Sequence, residues 1–212
     1  MGTRAIRNRN VVSLLNYKIK AEKGTTVYEL LKKIKVLKKA PVKAPTLLQA
    51  AQRQKFGLAA VFAVKLKEMI QVGFYGKRKK IGCCNYSTRQ IYKNAIIGEY
   101  PNFHIDYAKV ILSEGCTRQN YGYELKISDQ GNLDLTWDLD RYVSMLTGDD
   151  SVFLFVYNAT QDLSFSFQNA CLRHELSLKV QIPVFNNGDK IHCWVFLKSN
   201  NNNVSRSVYL VE

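Results

Sequence analysis

The sequence has no long apolar run and no pattern of paired cysteines. Its longest uninterrupted apolar run, 58–64, is seven residues, whereas a membrane-spanning helix needs about 20. The basic N-terminus precedes a segment too short and too polar for a signal-peptide core, with no small-residue cleavage site. Five cysteines, two of them adjacent, do not fit a secreted disulfide framework. These absences favour a cytoplasmic protein in a reducing compartment.

The sequence also lacks the motifs of common enzyme classes. Neither the phosphate-loop pattern G-x-x-x-x-G-K-[ST] nor the dinucleotide pattern G-x-G-x-x-G occurs. Cys171 and His174 resemble zinc ligands, as do His192 and Cys193. However, neighbours on a strand point to opposite faces, and a structural zinc site wants four convergent ligands. We therefore expect a protein that is not an enzyme, with no catalytic residue, no metal site and no cofactor.

Acidic side chains cluster only around Trp137 and in one turn. Asp134, Asp138 and Asp140 flank Trp137, but their spacing fits no EF-hand calcium loop and predicts a solvated strand face. Asp149-Asp150 follows a glycine in a turn and needs no functional role.

Positive charge is concentrated in the first half of the chain. Residues 1–100 hold 22 Lys/Arg and 4 Asp/Glu, whereas residues 101–212 hold 9 and 13, within a formal net charge of +14. This asymmetry predicts an anionic partner, either nucleic acid or the acidic half of a neighbouring copy. Tyr75, Tyr86 and Tyr92 lie near the basic cluster 77–80, a mixture that can stack bases and pair phosphates, although tyrosines usually serve packing. The candidate anion- or nucleic-acid-binding residues are Arg4, Arg7, Arg9, Lys32, Lys33, Lys35, Lys38, Lys39, Arg53, Lys77, Arg78, Lys79, Lys80 and Arg89.

A helical segment follows the break at 41–45. Thr46 and Gln49 match a capping box, and apolar residues then recur at helical spacing until Gly73. This predicts one long helix. A second, shorter helix is predicted from Ser87 or Thr88 to residue 97, with Cys83-Cys84 in a loop before it.

The apolar period changes to two after Pro101, which predicts strands. Seven or eight short runs follow in about 110 residues, separated by turn signals, with a hairpin turn at 129–132. The run 152–157 is continuously apolar, as in a strand buried on both faces. This spacing is typical of an antiparallel β-sandwich of the immunoglobulin or fibronectin type III kind, with Trp137 in its inter-sheet core. The predicted runs are 103–107, 123–127, 133–137, 152–157, 163–167, 176–182, 191–197 and 204–211.

These patterns predict an α+β protein in three parts. They are a basic N-terminal arm (1–45), a helical segment (46–100) and a β-sandwich domain (101–212). Within the arm, 27–36 fits either a strand pair or a basic amphipathic helix, and the helix would add membrane-surface binding. Both interpretations remain open.

Several strings along the chain resemble one family. The most specific is T-x-x-Q-x-x-Q-R-x-K-F, from Thr46 to Phe56, and others are Y-P-N-F at 100–103 and the closing S-V-Y at 207–209. From Thr46 to Val211 the chain resembles a Bacteroidota domain-of-unknown-function family. The resemblance implies a helix-plus-sandwich architecture and brings no catalytic residues, cofactor or substrate. Similar N-terminal motifs occur in phage-like structural proteins.

Two functions follow as hypotheses. The first is a non-enzymatic structural or assembly protein, cytoplasmic or virion-associated if phage-like. Its basic half would bind neighbouring subunits or nucleic acid, and strand edges such as 204–211 would pair with another chain. The alternative is a dedicated nucleic-acid-binding protein that contacts phosphates through the arm and through 77–80.

Overall fold

The computed structural model describes residues 44–77, 81–139 and 148–211, without the side chain of Lys77. The predictions for the basic arm, including the two interpretations of 27–36, fall outside these residues. Contacts group Pro45–Glu212 into one unit.

The first predicted helix begins as expected. Helix α1 (Leu47–Lys65) follows Thr46, whose Oγ1 accepts from the Gln49 backbone N–H at 3.3 Å. The Gln49 Oε1 accepts in return from the Thr46 N–H at 3.2 Å, so the capping box is confirmed. The helix does not run unbroken to Gly73. It breaks at Leu66, where ψ is −1°, and α2 (Lys67–Gly73) continues beyond the break.

The second predicted helix is displaced. Helix α3 (Cys83–Asn94) begins before Ser87, so Cys83 and Cys84 lie in its first turn and not in a loop. Thr88, one of the two predicted start residues, lies inside the helix, where its buried hydroxyl donates to the Cys84 carbonyl, one turn earlier, at 2.9 Å. After α3, residues 96–97 leave the helix and form a strand.

Nine strands are described, and every strand pairing among them is antiparallel. The predicted run 103–107 shortens because a 3-10 helix (Tyr107–Lys109) interrupts it, and 204–211 shortens because Val204 and Ser205 form only isolated bridges. The strands are β1 (Ile96–Ile97), β2 (His104–Ile105), β3 (Tyr121–Ile127), β4 (Asn132–Asp138), β5 (Ser151–Asn158), β6 (Leu163–Phe167), β7 (Ser177–Gln181), β8 (Ile191–Lys198) and β9 (Val208–Leu210).

The strands form a two-stranded sheet β1-β2, a three-stranded sheet β3-β4-β7 and a four-stranded sheet β6-β5-β8-β9. The predicted hairpin joins β3 to β4, and its Gly131 has φ +77°, which favours glycine. The structure is therefore mixed α+β with a β-rich C-terminal part.

The four-stranded sheet is covered on both faces. On one side, Leu154 and Val195 pack with Leu135 and Trp137 of the three-stranded sheet. On the other side, Phe155 and Trp194 share a core with residues of α1 and α2. The predictions that 152–157 is buried on both faces and that Trp137 is a core residue are confirmed. The helical segment and the β-rich part thus share one of the two cores.

Candidate functional site

The predicted basic residues fall partly within the described structure. Arg53 on α1 and Arg89 on α3 are exposed. The backbone of Lys77 ends a 3-10 helix (Tyr75–Lys77). The predicted residues outside the described part of the chain are Arg4, Arg7, Arg9, Lys32, Lys33, Lys35, Lys38, Lys39, Arg78, Lys79 and Lys80.

Arg53 and Arg89 lie beside one groove between α1 and α3. This α1–α3 groove, a cavity of about 370 Å³, is lined by Phe56, Asn85, Thr88, Arg89 and Tyr92. Arg53 lies one turn before Phe56 on α1, since residues three apart share a helix face. Neither arginine pairs with a carboxylate among the described residues.

The tyrosines near the basic cluster have different surroundings. Tyr92 lines the α1–α3 groove, and Tyr75 is exposed. Tyr86 packs edge-on against Phe74, with ring centroids 5.0 Å apart, and its hydroxyl donates to a Glu114 oxygen at 2.7 Å. Tyr86 therefore has a packing role, and Tyr92 is the tyrosine best placed to contact a ligand.

Helix α1 also exposes apolar side chains. Phe56 is 59% exposed, Val61 62% and Val64 66%. The buried side of the same helix carries Ala59, Phe62 and Ala63. From residue 58 to residue 64 the helix is thus apolar around its circumference, whereas a helix on a globular surface normally has a polar outer face. We call the residues Phe56, Val61 and Val64 the outer α1 patch.

A second groove runs along α1 on the side of β5. This β5-side groove, a cavity of about 590 Å³, extends from Gln54 to Lys65 and is walled by rings that include Phe103, Tyr107 and Tyr157. At one end Lys65 forms an ion pair with Asp162, which also accepts from the Tyr157 hydroxyl at 2.6 Å. The Lys65 ammonium holds the pKa of Asp162 below its usual range, and burial raises the pKa of Tyr157.

At the other end of this groove, α1 holds a loop that follows α3. The Gln54 Nε2 donates to the Pro101 carbonyl at 2.6 Å, while its Oε1 is buried and has no hydrogen-bond partner among the residues that the structure describes. The Lys55 Nζ lies 4.6 Å from the centre of the Phe103 ring, in a cation–π contact. Tyr100 is 46% exposed, with its ring 6.4 Å from that of Phe103. We call Lys55, Tyr100 and Phe103 the aromatic loop site.

The comparison with protein families decides what kind of chain this is. A family of unknown function, DUF6266, matches residues 18–211. The chain belongs to this family. The expected resemblance to a family of unknown function is therefore confirmed. A search of curated proteins found no match to this DUF6266 chain.

His192 lies in a cluster of rings behind the β5-side groove. Its Nδ1 lies 2.7 Å from the Tyr209 hydroxyl oxygen, and its ring lies 4.2 Å from that of Tyr107. Burial, with a smaller effect of Lys190, lowers the pKa of His192. This environment therefore favours the neutral imidazole. Its neighbours are tyrosines whose hydroxyls hydrogen-bond inside the fold, which favours a packing role.

The sulfur and imidazole groups of this DUF6266 chain do not converge. Cys193 is buried between the two larger sheets, whereas its neighbour His192 lies on the helical side. Burial raises the pKa of Cys171 to about 12. Within the described ranges there is no group of three or more His, Cys, Asp or Glu that could hold a metal ion. In the same ranges no helix is long and apolar enough to cross a membrane.

The predicted acidic face is partly described. Asp134 lies 3.7 Å from Lys179 on the neighbouring strand, Asp138 is exposed, and Asp140 is outside the described residues. The acidic turn differs from the expectation, because Asp150 is buried. It pairs with Arg173, which is 1% exposed, at 3.1 Å.

Sequence reasoning missed the surface aromatics. Phe56 and Tyr100 were named only for the family resemblance, and Phe103 also as the start of the predicted strand 103–107, although Phe56 follows the Lys55 that contacts Phe103. The available signal was the segment 53–56, in which Phe56 follows the basic residues Arg53 and Lys55. It indicates a function only once the loop at 100–103 is known to lie against α1.

Proposed function

We propose that this DUF6266 member is a non-enzymatic structural protein that assembles by binding neighbouring copies of itself through its helical layer. The observation that carries the proposal is the outer α1 patch, in which three large apolar side chains are each more than half exposed. Val61 and Val64, three residues apart, share one face of α1, and contiguous exposed apolar surface on a folded domain usually marks a protein–protein interface. Burying this patch against another copy removes apolar area from water without disturbing either core.

The β-rich part is proposed as the building block, with an immunoglobulin- or fibronectin type III-like sandwich. Its seven strands divide into β3-β4-β7 and β6-β5-β8-β9, the three-plus-four division typical of such sandwiches, which supports this assignment. A phage-like setting, a Bacteroidota origin, the T-x-x-Q-x-x-Q-R-x-K-F string as a family signature and a cytoplasmic or virion location stay predictions.

The charge distribution supports contact between unlike halves of two copies. Residues 1–100 are strongly basic and residues 101–212 carry an excess of acid. A basic face on one copy and an acidic face on the next attract each other, and such a head-to-tail contact generates rings or filaments. β9 also lies at an edge of the four-stranded sheet, which supports strand pairing as a second contact.

Oligomeric state tests the assembly proposal. Light scattering and sedimentation over a wide concentration range should show oligomers, and the double variant V61K/V64K should shift them to monomers. Val184→Lys changes an exposed valine of the β-rich part in the same way and should leave assembly intact. A wild-type protein that stays monomeric at high concentration, or a V61K/V64K variant that assembles normally, contradicts the proposal.

A second function, nucleic-acid binding, is favoured by the α1–α3 groove. There two basic side chains without carboxylate partners among the described residues lie beside the exposed ring of Phe56 and the half-buried ring of Tyr92. Replacing Arg53 or Arg89 by alanine should lower the slope of log K against log salt by about one each. An unchanged slope in both variants would argue against this function.

A further inference from the structure

We infer that the aromatic loop site, formed by Lys55, Tyr100 and Phe103, holds an unpaired base of single-stranded nucleic acid. The inference rests on the second proposed function and names the form of nucleic acid recognised. None of these three residues belongs to the basic set predicted from the sequence. The site also lies apart from the α1–α3 groove, since no residue lines both.

The backbone of the loop that carries the two rings is anchored at two points, one of them on α1. Gln54 donates to the Pro101 carbonyl at 2.6 Å, between Tyr100 and Phe103 in sequence. The β1-β2 pairing closes the loop at its base, with Ile97 opposite His104. A loop held at two points loses little further backbone freedom when a base stacks on its side chains, which favours binding.

The electrostatics beside these rings favour an anion. Lys55 has no carboxylate partner among the described residues, and its ammonium lies over the face of Phe103. Within the described part of the chain, Asp162 is the only carboxylate that lines the β5-side groove, and it is already paired with Lys65. A ligand that is both planar and negatively charged therefore fits this place better than a cation.

The exposed rings indicate a single strand in particular. Tyr100 is 46% exposed, and Phe103 opens onto the β5-side groove, which at about 590 Å³ has room for a base. In a duplex the faces of the bases are stacked on each other, so only phosphates and base edges are offered. In a single strand the base faces are free to stack on aromatic side chains while a lysine pairs with the adjoining phosphate.

The test uses the full chain and a fluorescent single-stranded (dA)12, with the matching duplex and inorganic polyphosphate as competitors. The single strand should bind more tightly than the duplex. Tyr100→Ala and Phe103→Ala should each weaken it at least about fivefold, the lower end of one base–aromatic stack. Phe103→Tyr, which keeps a ring, should retain most of the affinity. Circular dichroism and thermal unfolding confirm that each variant is folded.

The charge contribution is measured separately. Lys55→Ala should lower the salt slope for the single strand by about 0.7, the value for one phosphate contact. Lys126→Ala removes the same charge from an exposed position on β3 and should leave the slope unchanged. Adenosine monophosphate is used as a further competitor to distinguish a free nucleotide from a strand. If it competes as well as the unlabelled strand at the same concentration of bases, the site binds mononucleotides and the inference of a single strand is wrong.

The outcomes separate this site from the broader function. If the single strand binds, Arg53 and Arg89 matter, and the folded ring variants bind like wild type, nucleic-acid binding stands and this site is wrong. The inference is also wrong if the duplex binds as tightly as the single strand. It is equally wrong if polyphosphate competes as strongly as the unlabelled strand at the same concentration of negative charge. If no nucleic acid binds the wild-type chain, both the site and the second function fail.

Discussion

Arg173 is the most deeply buried charge among the described residues. Its guanidinium donates to Asp150 at 3.1 Å and to the Asn120 side-chain oxygen at 2.6 Å. Its carbonyl accepts from the Trp137 indole N–H at 2.9 Å. Burial raises the pKa of Asp150 despite the neighbouring guanidinium. The pair therefore ties the turn before β5 to the inter-sheet core.

Breaking this pair should be costly. Arg173→Met leaves Asp150 buried without its cation, and removing one partner of a buried pair typically costs about 3–5 kcal/mol. The double variant R173M/D150N should lose less than the sum of the two single changes, because position 150 then no longer carries a buried carboxylate without its cation. Urea unfolding of the four proteins measures the coupling. Additive losses, or a cost for R173M below about 0.5 kcal/mol, would show that the pair is not coupled in this way.

His192 makes stability depend on pH. Its pKa is lowered in the folded state from the ordinary 6.5, so between these values the unfolded chain binds more protons. Stability should therefore fall as pH decreases through 6.5, and this part of the fall should be missing in His192→Gln. Unfolding at pH 7 and at lower pH measures the difference. His104→Gln, a change at an exposed histidine, is the control, and an equal fall in wild type and His192→Gln would contradict the argument.

At the scale of elements, two glycines of the helical segment have opposite surroundings. Gly57 lies inside α1, and a Cβ there would meet nothing within 4 Å. Gly73 ends α2, and a Cβ there would collide with the Leu112 carbonyl oxygen. The first glycine is therefore not required by the fold around it, whereas the second allows the chain near Leu112 to approach the helix end closely.

The two alanine substitutions should change stability in opposite directions. Gly57→Ala should raise the free energy of unfolding by about 0.5–1 kcal/mol, because glycine inside a helix is that much worse than alanine. Gly73→Ala should lower it, because the added methyl group must displace backbone atoms. Denaturant titration gives both values. A destabilising Gly57→Ala would mean that some contact at this position requires the missing side chain.

What the sequence could predict was local. The capping box and the hairpin at Gly131 depend on neighbours in sequence, and both were confirmed. The start of α3 was wrong because Thr88 has the chemistry of a cap, and only the buried side of the helix shows that its hydroxyl serves the preceding turn. The break at Leu66 follows no helix-breaking residue, so the apolar period ran through it undetected.

At the scale of the whole molecule, non-local contacts decide the rest. The apolar run of β5 predicted burial on both faces, but only the fold shows that helices cover one of them. The residues of the candidate sites also divide into those that the sequence indicates and those that only the fold indicates. Charge alone selected Arg53 and Arg89, whereas Phe103 became a candidate only because Gln54 holds its loop on α1. Aromatic residues are uncharged, so a count of charges does not select them. Only the residues that lie beside them in the fold indicate a binding role.

The two tryptophans report on the two cores separately. Trp137 lies between the two larger sheets, and Trp194 lies in the core shared with the helices, where its indole N–H donates to the Val110 carbonyl at 3.1 Å. Because β8 carries Trp194 on one face and Val195 on the other, loss of either covering layer exposes the four-stranded sheet. The two cores should therefore unfold together.

Single-tryptophan variants test this cooperativity. Trp137→Phe leaves the reporter of the helical side, and Trp194→Phe leaves the reporter of the inter-sheet side. Each should show a fluorescence transition coinciding with loss of helix signal in circular dichroism in the same variant. Adding Phe62→Ala, a change in the helical core costing about 3–5 kcal/mol, should lower the midpoint of both by similar amounts. If Phe62→Ala moved only the Trp194 transition, the helices would unfold independently of the two sheets. Contacts between helical layers of two copies would then not hold the β-rich parts in an assembly.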